Sequence, residues 1–101
     1  MMNKKIKNKH IDSLFESILE IRDISECYMF FEDICTVTEL NSIAQRLEVA
    51  KMLRNGFRYH QIIEETGAST ATISRVNKCL NYGADGYNII LDRIKEKDAN
   101  K

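Results

Sequence analysis

Apolar residues recur along the chain with helical rather than strand spacing. Ile11, Leu14, Phe15, Ile18, Leu19, Ile21 and Ile24 follow the three-and-four rhythm of an amphipathic helix. At about 100° per residue these positions span an arc of roughly 220°, about twice what a surface helix of a monomer needs. Such a helix must be covered on two sides, and so short a chain has little to cover it with. The economical expectation is a homodimer in which this helix packs across a symmetry axis. Ser25 is the expected cap of a second, short helix carrying Cys27, Tyr28, Phe30, Phe31 and Ile34. This cluster fits a core or an interface better than a ligand-binding aromatic box.

Thr36-Val37-Thr38-Glu39 has the S/T-x-x-E form of a capping box. It predicts a helix through Leu40, Ile43, Ala44, Leu47, Ala50 and Leu53, with Val49 and Met52 as a second apolar edge. Asn55-Gly56 should end it, because both residues tolerate the left-handed conformation of a helix stop. A final helix is expected over Gly86 to Glu96, with Asp85 as N-cap and Tyr87, Ile90, Leu91 and Ile94 on one face. The domain reading is a basic flexible arm over residues 1–9, a helical domain over 10–96 and a polar tail over 97–101. There is no proline, and all four glycines fall after position 55, which favours helices with discrete stops. The expected fold is all-α, with about six helices.

Composition narrows the class. With 101 residues and 44% hydrophobic residues the chain fits one globular domain. No apolar run is long enough to span a membrane, and no apolar segment of signal-peptide type follows the basic start. Cys27, Cys35 and Cys79 are odd in number and lack CxxC spacing. They point to a reduced, cytoplasmic setting, with neither a disulfide framework nor a metal site. Fifteen basic and fifteen acidic residues give zero net charge, which at face value argues against nucleic acid. The distribution reverses that argument. Residues 1–10 carry +4, residues 11–40 carry −7 and residues 41–80 carry +3, while residues 81–101 balance.

The segment from Tyr59 to Leu80 turns this distribution into a candidate chemistry. Ile62 and Ile63 mark one short helix, Gly67-Ala68-Ser69 a tight turn, and Ile73, Val76 and Leu80 the inward stripe of a second helix capped by Ser69. Two short helices joined at a steep angle by a turn containing glycine form a helix-turn-helix. Gly67 supplies the positive φ, Ala68 is small enough to lie under the crossing, and Ile62, Ile73 and Val76 form the little core that fixes the angle. Thr66 stands where an apolar residue would be usual, and Ile63 where a small one would be. The outer face of the second helix carries Thr70, Ala71, Thr72, Ser74, Arg75, Asn77 and Lys78, with no acid. Small residues allow close approach to base edges, hydroxyls bond bases or phosphates, and cations neutralise phosphates. The helix N-terminus at Ser69 is itself attractive to a phosphate. A merely solvated helix face would be expected to mix in acids.

The run Ala68-Ser69-Thr70-Ala71-Thr72-Ile73-Ser74-Arg75, preceded by Glu65-Thr66-Gly67 and by the helix carrying Thr36, Glu39 and Arg46, resembles the Trp repressor family. The layout is most like its YerC/YecD branch. The resemblance extends from about Leu14 to Ile94. It implies an intertwined all-helical homodimer with a helix-turn-helix in each half; the Trp repressor is itself a standard example of that motif. It places DNA-reading positions on Thr70, Ala71 and Ser74, and backbone-approaching positions on Tyr59 and His60. With the outer-face residues, the candidate DNA-contacting set is Tyr59, His60, Ser69, Thr70, Ala71, Thr72, Ser74, Arg75 and Lys78. Arg54 and Arg58 are secondary candidates for phosphate contact.

The resemblance also implies a corepressor pocket in which an indole stacks between two arginines, here Arg46 and Arg75, with Thr36 and Cys79 beside it. Two positions depart from that pattern. The family's glycine after the second arginine is Val76, and its serine near the ligand is Cys79. The segment from Gly56 to Gly67 is also one residue shorter than the family's. The fold and DNA binding carry over; tryptophan sensing does not. Ion pairing with Glu39 or Glu48, or phosphate contact, is the alternative role for Arg46 and Arg75.

No catalytic, cofactor or metal arrangement emerges. The two histidines, His10 and His60, lie in different segments, and there is neither a nucleophile elbow nor a phosphate loop. The expected partners are double-stranded DNA and a second copy of the chain, without a membrane. The expected function is a cytoplasmic, sequence-specific transcriptional regulator, in the role of repressor. The competing readings are a helical interaction adaptor without DNA binding, whose acidic half docks a basic partner, and a tryptophan-responsive repressor.

Overall fold

The computed structural model describes residues 6–100. Helices α1 (Lys9–Ile18), α2 (Ile24–Ile34), α3 (Val37–Arg54), α4 (Tyr59–Thr66), α5 (Thr70–Tyr82) and α6 (Gly86–Ala99) follow one another, with no strand among the described residues. The chain divides into two parts, Met1–Leu40 and Asn41–Lys101, the division falling within α3.

In the first part, the helix expected over Ile11 to Ile24 stops at Ile18, and the second, expected from Ser25, begins earlier. Asn8 caps α1 by accepting from the amide of Ile11 at 2.9 Å. After Ile18 the amides of Glu20 and Ile21 turn to the carbonyls of Ser17 and Ile18, both at 3.1 Å. This is the tight last turn of an ending helix. Asp23 then adopts extended backbone, and its carboxylate accepts from the amide of Glu26 at 2.8 Å. Asp23, not Ser25, is the N-cap of α2; Ser25 lies inside the first turn. Ile21 and Ile24 kept the helical rhythm across a break that a capping aspartate had already marked. Without them the apolar positions of α1 cover only about 100°, the width of an ordinary amphipathic stripe. The arc therefore gives no reason for α1 to be covered on two sides. Exposure gives a different one. No residue of α1 or α2 is buried, and Leu19, Ile24, Tyr28 and Met29 are all exposed. Phe30 and Phe31 meet edge to face at 5.5 Å. In the chain alone, the cluster from Cys27 to Ile34 is not a core.

The second part has its own core. Val49, Ala50, Met52, Ile62, Ala68, Ile73, Val76 and Leu91 are buried, with Leu47, Leu53, Leu80 and Tyr87 packed against them. Both expected edges of α3 reach this core, Val49 and Met52 from one and Ala50, with Leu47 and Leu53 beside it, from the other, while Ile43 nearer the start of the helix is exposed. α3 ends in a Schellman motif. Phe57 N–H donates to Met52 C=O at 3.1 Å and Gly56 N–H to Leu53 C=O at 3.1 Å, with Gly56 at φ 82°. α5 stops at Gly83, where an added Cβ would sit 2.4 Å from the carbonyl oxygen of Cys79, too close for any other residue without movement.

Asp85 precedes α6 as expected, but by its backbone. It lies at φ 67° and its side chain makes no cap bond, a left-handed conformation that aspartate tolerates better than most residues. α6 runs to Ala99, three residues past its expected end, and takes in most of the expected polar tail. Lys9 of the expected arm is already helical. Residues 1–5 of the arm and Lys101 of the tail lie outside the described residues. No described helix is long and apolar enough to cross a membrane.

Candidate nucleic-acid interface

α4 and α5 are joined through a small, buried apolar contact. Ile62 on α4 and Ile73 and Val76 on α5 are each at most 1% exposed, and Ala68 between them is 2% exposed. These are the residues that the pattern singled out. Gly67 ends α4 at φ 72°, its amide bonded to the carbonyl of Ile63 at 2.8 Å. α4 begins without a side-chain acceptor at its N-cap, Arg58; Gln61 Oε1 instead accepts from the Arg58 amide at 2.9 Å.

α5 begins where expected. Ser69 Oγ accepts from the amide of Thr72 at 3.1 Å and donates to the Thr72 hydroxyl at 3.1 Å. Both hydroxyls are therefore engaged locally at the helix start, with Thr72 half-buried. Thr70, Ala71, Ser74, Arg75 and Lys78 are exposed along α5, and Tyr59 and His60 are exposed at the start of α4. Among the described residues neither Arg75 nor Lys78 is held in an ion pair, so the cations on this face are available to anions. Arg54 is not equally available. It donates to the carbonyl of Asn88 at 3.2 Å and pairs with the carboxylate of Asp92. Asn88 in turn donates to the carbonyl of Leu80 at 3.0 Å. Arg54 and Asn88 thus tie α3, α5 and α6 together, through partners too far apart along the chain for any local pattern to pair.

Each residue implied for a corepressor has its own local setting. The amide and hydroxyl of Thr36 are taken by Glu39. Thr36 N–H donates to Glu39 Oε1 at 2.8 Å, and Glu39 N–H donates to Thr36 Oγ1 at 3.0 Å. This is the expected capping box, and it holds the Glu39 carboxyl below its ordinary value of 4.5, first through the Thr36 amide and then through its hydroxyl. No ion pair of Arg46 or Arg75 occurs among the described residues, so the expected alternative of pairing with Glu39 or Glu48 is not realised. Val76 is in the core. Cys79 is exposed. Two clefts, of about 500 and 330 Å³, are lined by other residues, among them Glu48, Lys51 and Phe57 in the first and Lys51, Arg54 and Leu91 in the second.

Two short helices locked by a buried apolar contact, the second with an acid-free exposed face, define a helix-turn-helix protein. Residues 9–95 match the family model described as Trp repressor protein. The chain is 59% identical over 98 residues to the uncharacterised Bacillus subtilis protein YerC, covering 97% of this chain and 94% of that protein. A candidate Trp repressor from Staphylococcus aureus, solved by crystallography, superposes with a TM-score of 0.89 at 49% identity, over 94% of this chain and 95% of that one. A TrpR-like protein from Eubacterium eligens gives the same TM-score at 54% identity, over 92% and 96%. The chain belongs to the Trp repressor family, a family of helix-turn-helix DNA-binding regulators rather than of enzymes.

Proposed function

We propose that the protein is a dimeric, sequence-specific DNA-binding repressor of transcription. The observation that carries this reading is the outer face of α5. It is exposed, it holds hydroxyls and small residues at its N-terminal end and cations further on, and it has no acid. Thr70, Ala71 and Ser74 read base edges in the major groove; Arg75, Lys78 and the start of α4 at Tyr59 and His60 contact the backbone. Ser69 and Thr72 hold the helix start in shape and offer it to a phosphate. The exposed apolar side chains of α1 and α2 support dimerisation, because a second copy is the partner that would cover them in a symmetric regulator. Two recognition helices would then enter successive major grooves about 34 Å apart on a pseudo-palindromic site, in the cytoplasm.

Selection of bound duplexes from a random pool, followed by gel shift across a salt series, tests this. A pseudo-palindromic consensus and affinity falling steeply with salt are expected. Failure to enrich any sequence would overturn the reading. Thr70→Ala with Ser74→Ala should relax the consensus and leave the dimer intact. Tryptophan is not expected to act as corepressor. Calorimetric titration should give no binding heat, since Val76 and Cys79 depart from the family's ligand pattern and Thr36 is spent on its capping box.

A further inference from the structure

The turn between α4 and α5 holds a hydrogen-bonded clip that contact with DNA does not require. Thr66, the last residue of α4, is half-buried. Its hydroxyl donates to the carbonyl of Ile62 at 2.7 Å and accepts from the amide of Ala68 at 3.1 Å. Its carbonyl accepts from Nε2 of Gln45, on α3, at 3.0 Å. One residue therefore joins the last turn of α4, the entry to α5 and the central helix.

Two of these bonds fill vacancies that the fold creates. The final carbonyls of a helix have no intrahelical partner. Here the Ile63 carbonyl takes the Gly67 amide, and the Thr66 carbonyl takes Gln45. Ala68 as a whole is only 2% exposed, so its amide has little access to water. An amide so placed needs a partner inside the protein, and among the described residues the Thr66 hydroxyl supplies it. An apolar residue at 66 would pack, but would leave the Ala68 amide to find another acceptor by shifting the turn. Ser69, the cap of α5, directly follows Ala68, so a shifted turn redirects the recognition helix.

We infer that Thr66 and Gln45 are positioning residues, which fix the direction in which α5 is presented without themselves reading DNA. The inference rests on the DNA-binding reading of α5. Full-length Thr66→Val, Thr66→Ser and Gln45→Met variants test it by two readouts. The first is hydrogen exchange of the Ala68 amide by NMR, which needs no DNA. The second is affinity for the selected duplex against a scrambled one. Thr66→Val should speed Ala68 exchange about tenfold, the scale of a lost hydrogen bond to a buried amide. It should weaken binding to the selected duplex about tenfold while leaving scrambled-duplex affinity within twofold. Thr66→Ser should restore both. Gln45→Met, which removes only the bond to the Thr66 carbonyl, should weaken selective binding about threefold, and keeps the question open to test if Thr66→Val does not fold. Unchanged Ala68 exchange in Thr66→Val would show that the clip does not exist. Faster exchange with full selectivity in both Thr66→Val and Gln45→Met would show that it positions nothing. Absence of selective binding by the unaltered protein would overturn the DNA reading and the positioning role with it, while the exchange arm still reports on the clip itself.

Discussion

From Asn41 onward eight apolar residues are buried, and Ile62, Ile73 and Val49 are wholly inaccessible. From Ile6 to Leu40 none is, although that stretch is no poorer in isoleucine, leucine and phenylalanine. The same helical pattern serves two ends. Residues 41–100 close a core from four helices around the crossing of α4 and α5. Residues 6–40 display apolar side chains beside eight acids, a surface that repels a second acidic body at long range but has much to gain from tight apolar contact. A part that folds on its own core should lose stability when that core is cut. A part that depends on a partner should lose assembly instead.

The largest expected effect is in the self-contained part. Ile62→Ala removes three carbons from a fully buried site between α4 and α5, at a cost of about 2–5 kcal/mol. Urea unfolding should show it as a lowered midpoint at unchanged slope. A cost near zero would mean that this core does not hold the helix-turn-helix together.

Next comes the apolar surface of the first part. Leu19 is 81% exposed and Tyr28 71% exposed. Were these side chains simply solvated, replacing both with glutamate would change stability by no more than about 0.5 kcal/mol each. With a second copy packed on them, Leu19→Glu with Tyr28→Glu should raise the dimer dissociation constant about tenfold to a hundredfold, or about 1.4–2.8 kcal/mol. Sedimentation across a concentration series measures it. Unchanged mass at every concentration would erase the contrast between the two parts.

The contrast also explains what could be read from the sequence. The buried contact of α4 and α5, the start of α5 at Ser69 and the box at Thr36 and Glu39 were legible, because each is written within a few neighbouring residues. The break between α1 and α2 falls earlier than the pattern suggests, because Ile21 and Ile24 stay in phase across it and Ser25 is as plausible a cap by residue type as Asp23, which takes the role. Arg54 with Asp92, and Gln45 with Thr66, join residues 38 and 21 positions apart; no local rule pairs them. Thr66 looked like an imperfection of the helix-turn-helix until the structure gave its hydroxyl two partners. Asp85 was placed correctly, but its left-handed backbone leaves no mark beyond the choice of aspartate.

Gly67 gives a smaller effect confined to the turn. A Cβ there would meet nothing within 4 Å, while φ is 72°, so Gly67→Ala isolates backbone strain from packing. The cost should be about 1–2 kcal/mol, and Gly67→Asn should recover part of it, asparagine being more tolerant of this conformation. Thermal or urea unfolding of the two variants side by side gives the difference. Equal losses would show that the turn does not hold this conformation in solution.

The smallest effect falls at the junction of the two parts, and its sign follows from the capping box. The Glu39 carboxyl titrates below its ordinary 4.5 because the Thr36 amide, and then the Thr36 hydroxyl, favour its charged form. A carboxyl depressed on folding stabilises the folded state fully above the unfolded value. That contribution fades as pH falls through the folded value and is gone once both states are protonated. Carbon-detected NMR titration of the Glu39 side chain should therefore give a midpoint below 4.5. Thr36→Ala removes the hydroxyl but leaves the amide, so the midpoint should move only part of the way back. A full return would assign the shift to the hydroxyl rather than the amide. An ordinary midpoint in the unaltered protein would mean that the box is open in solution, and that the first turn of α3 is held by something other than its own cap.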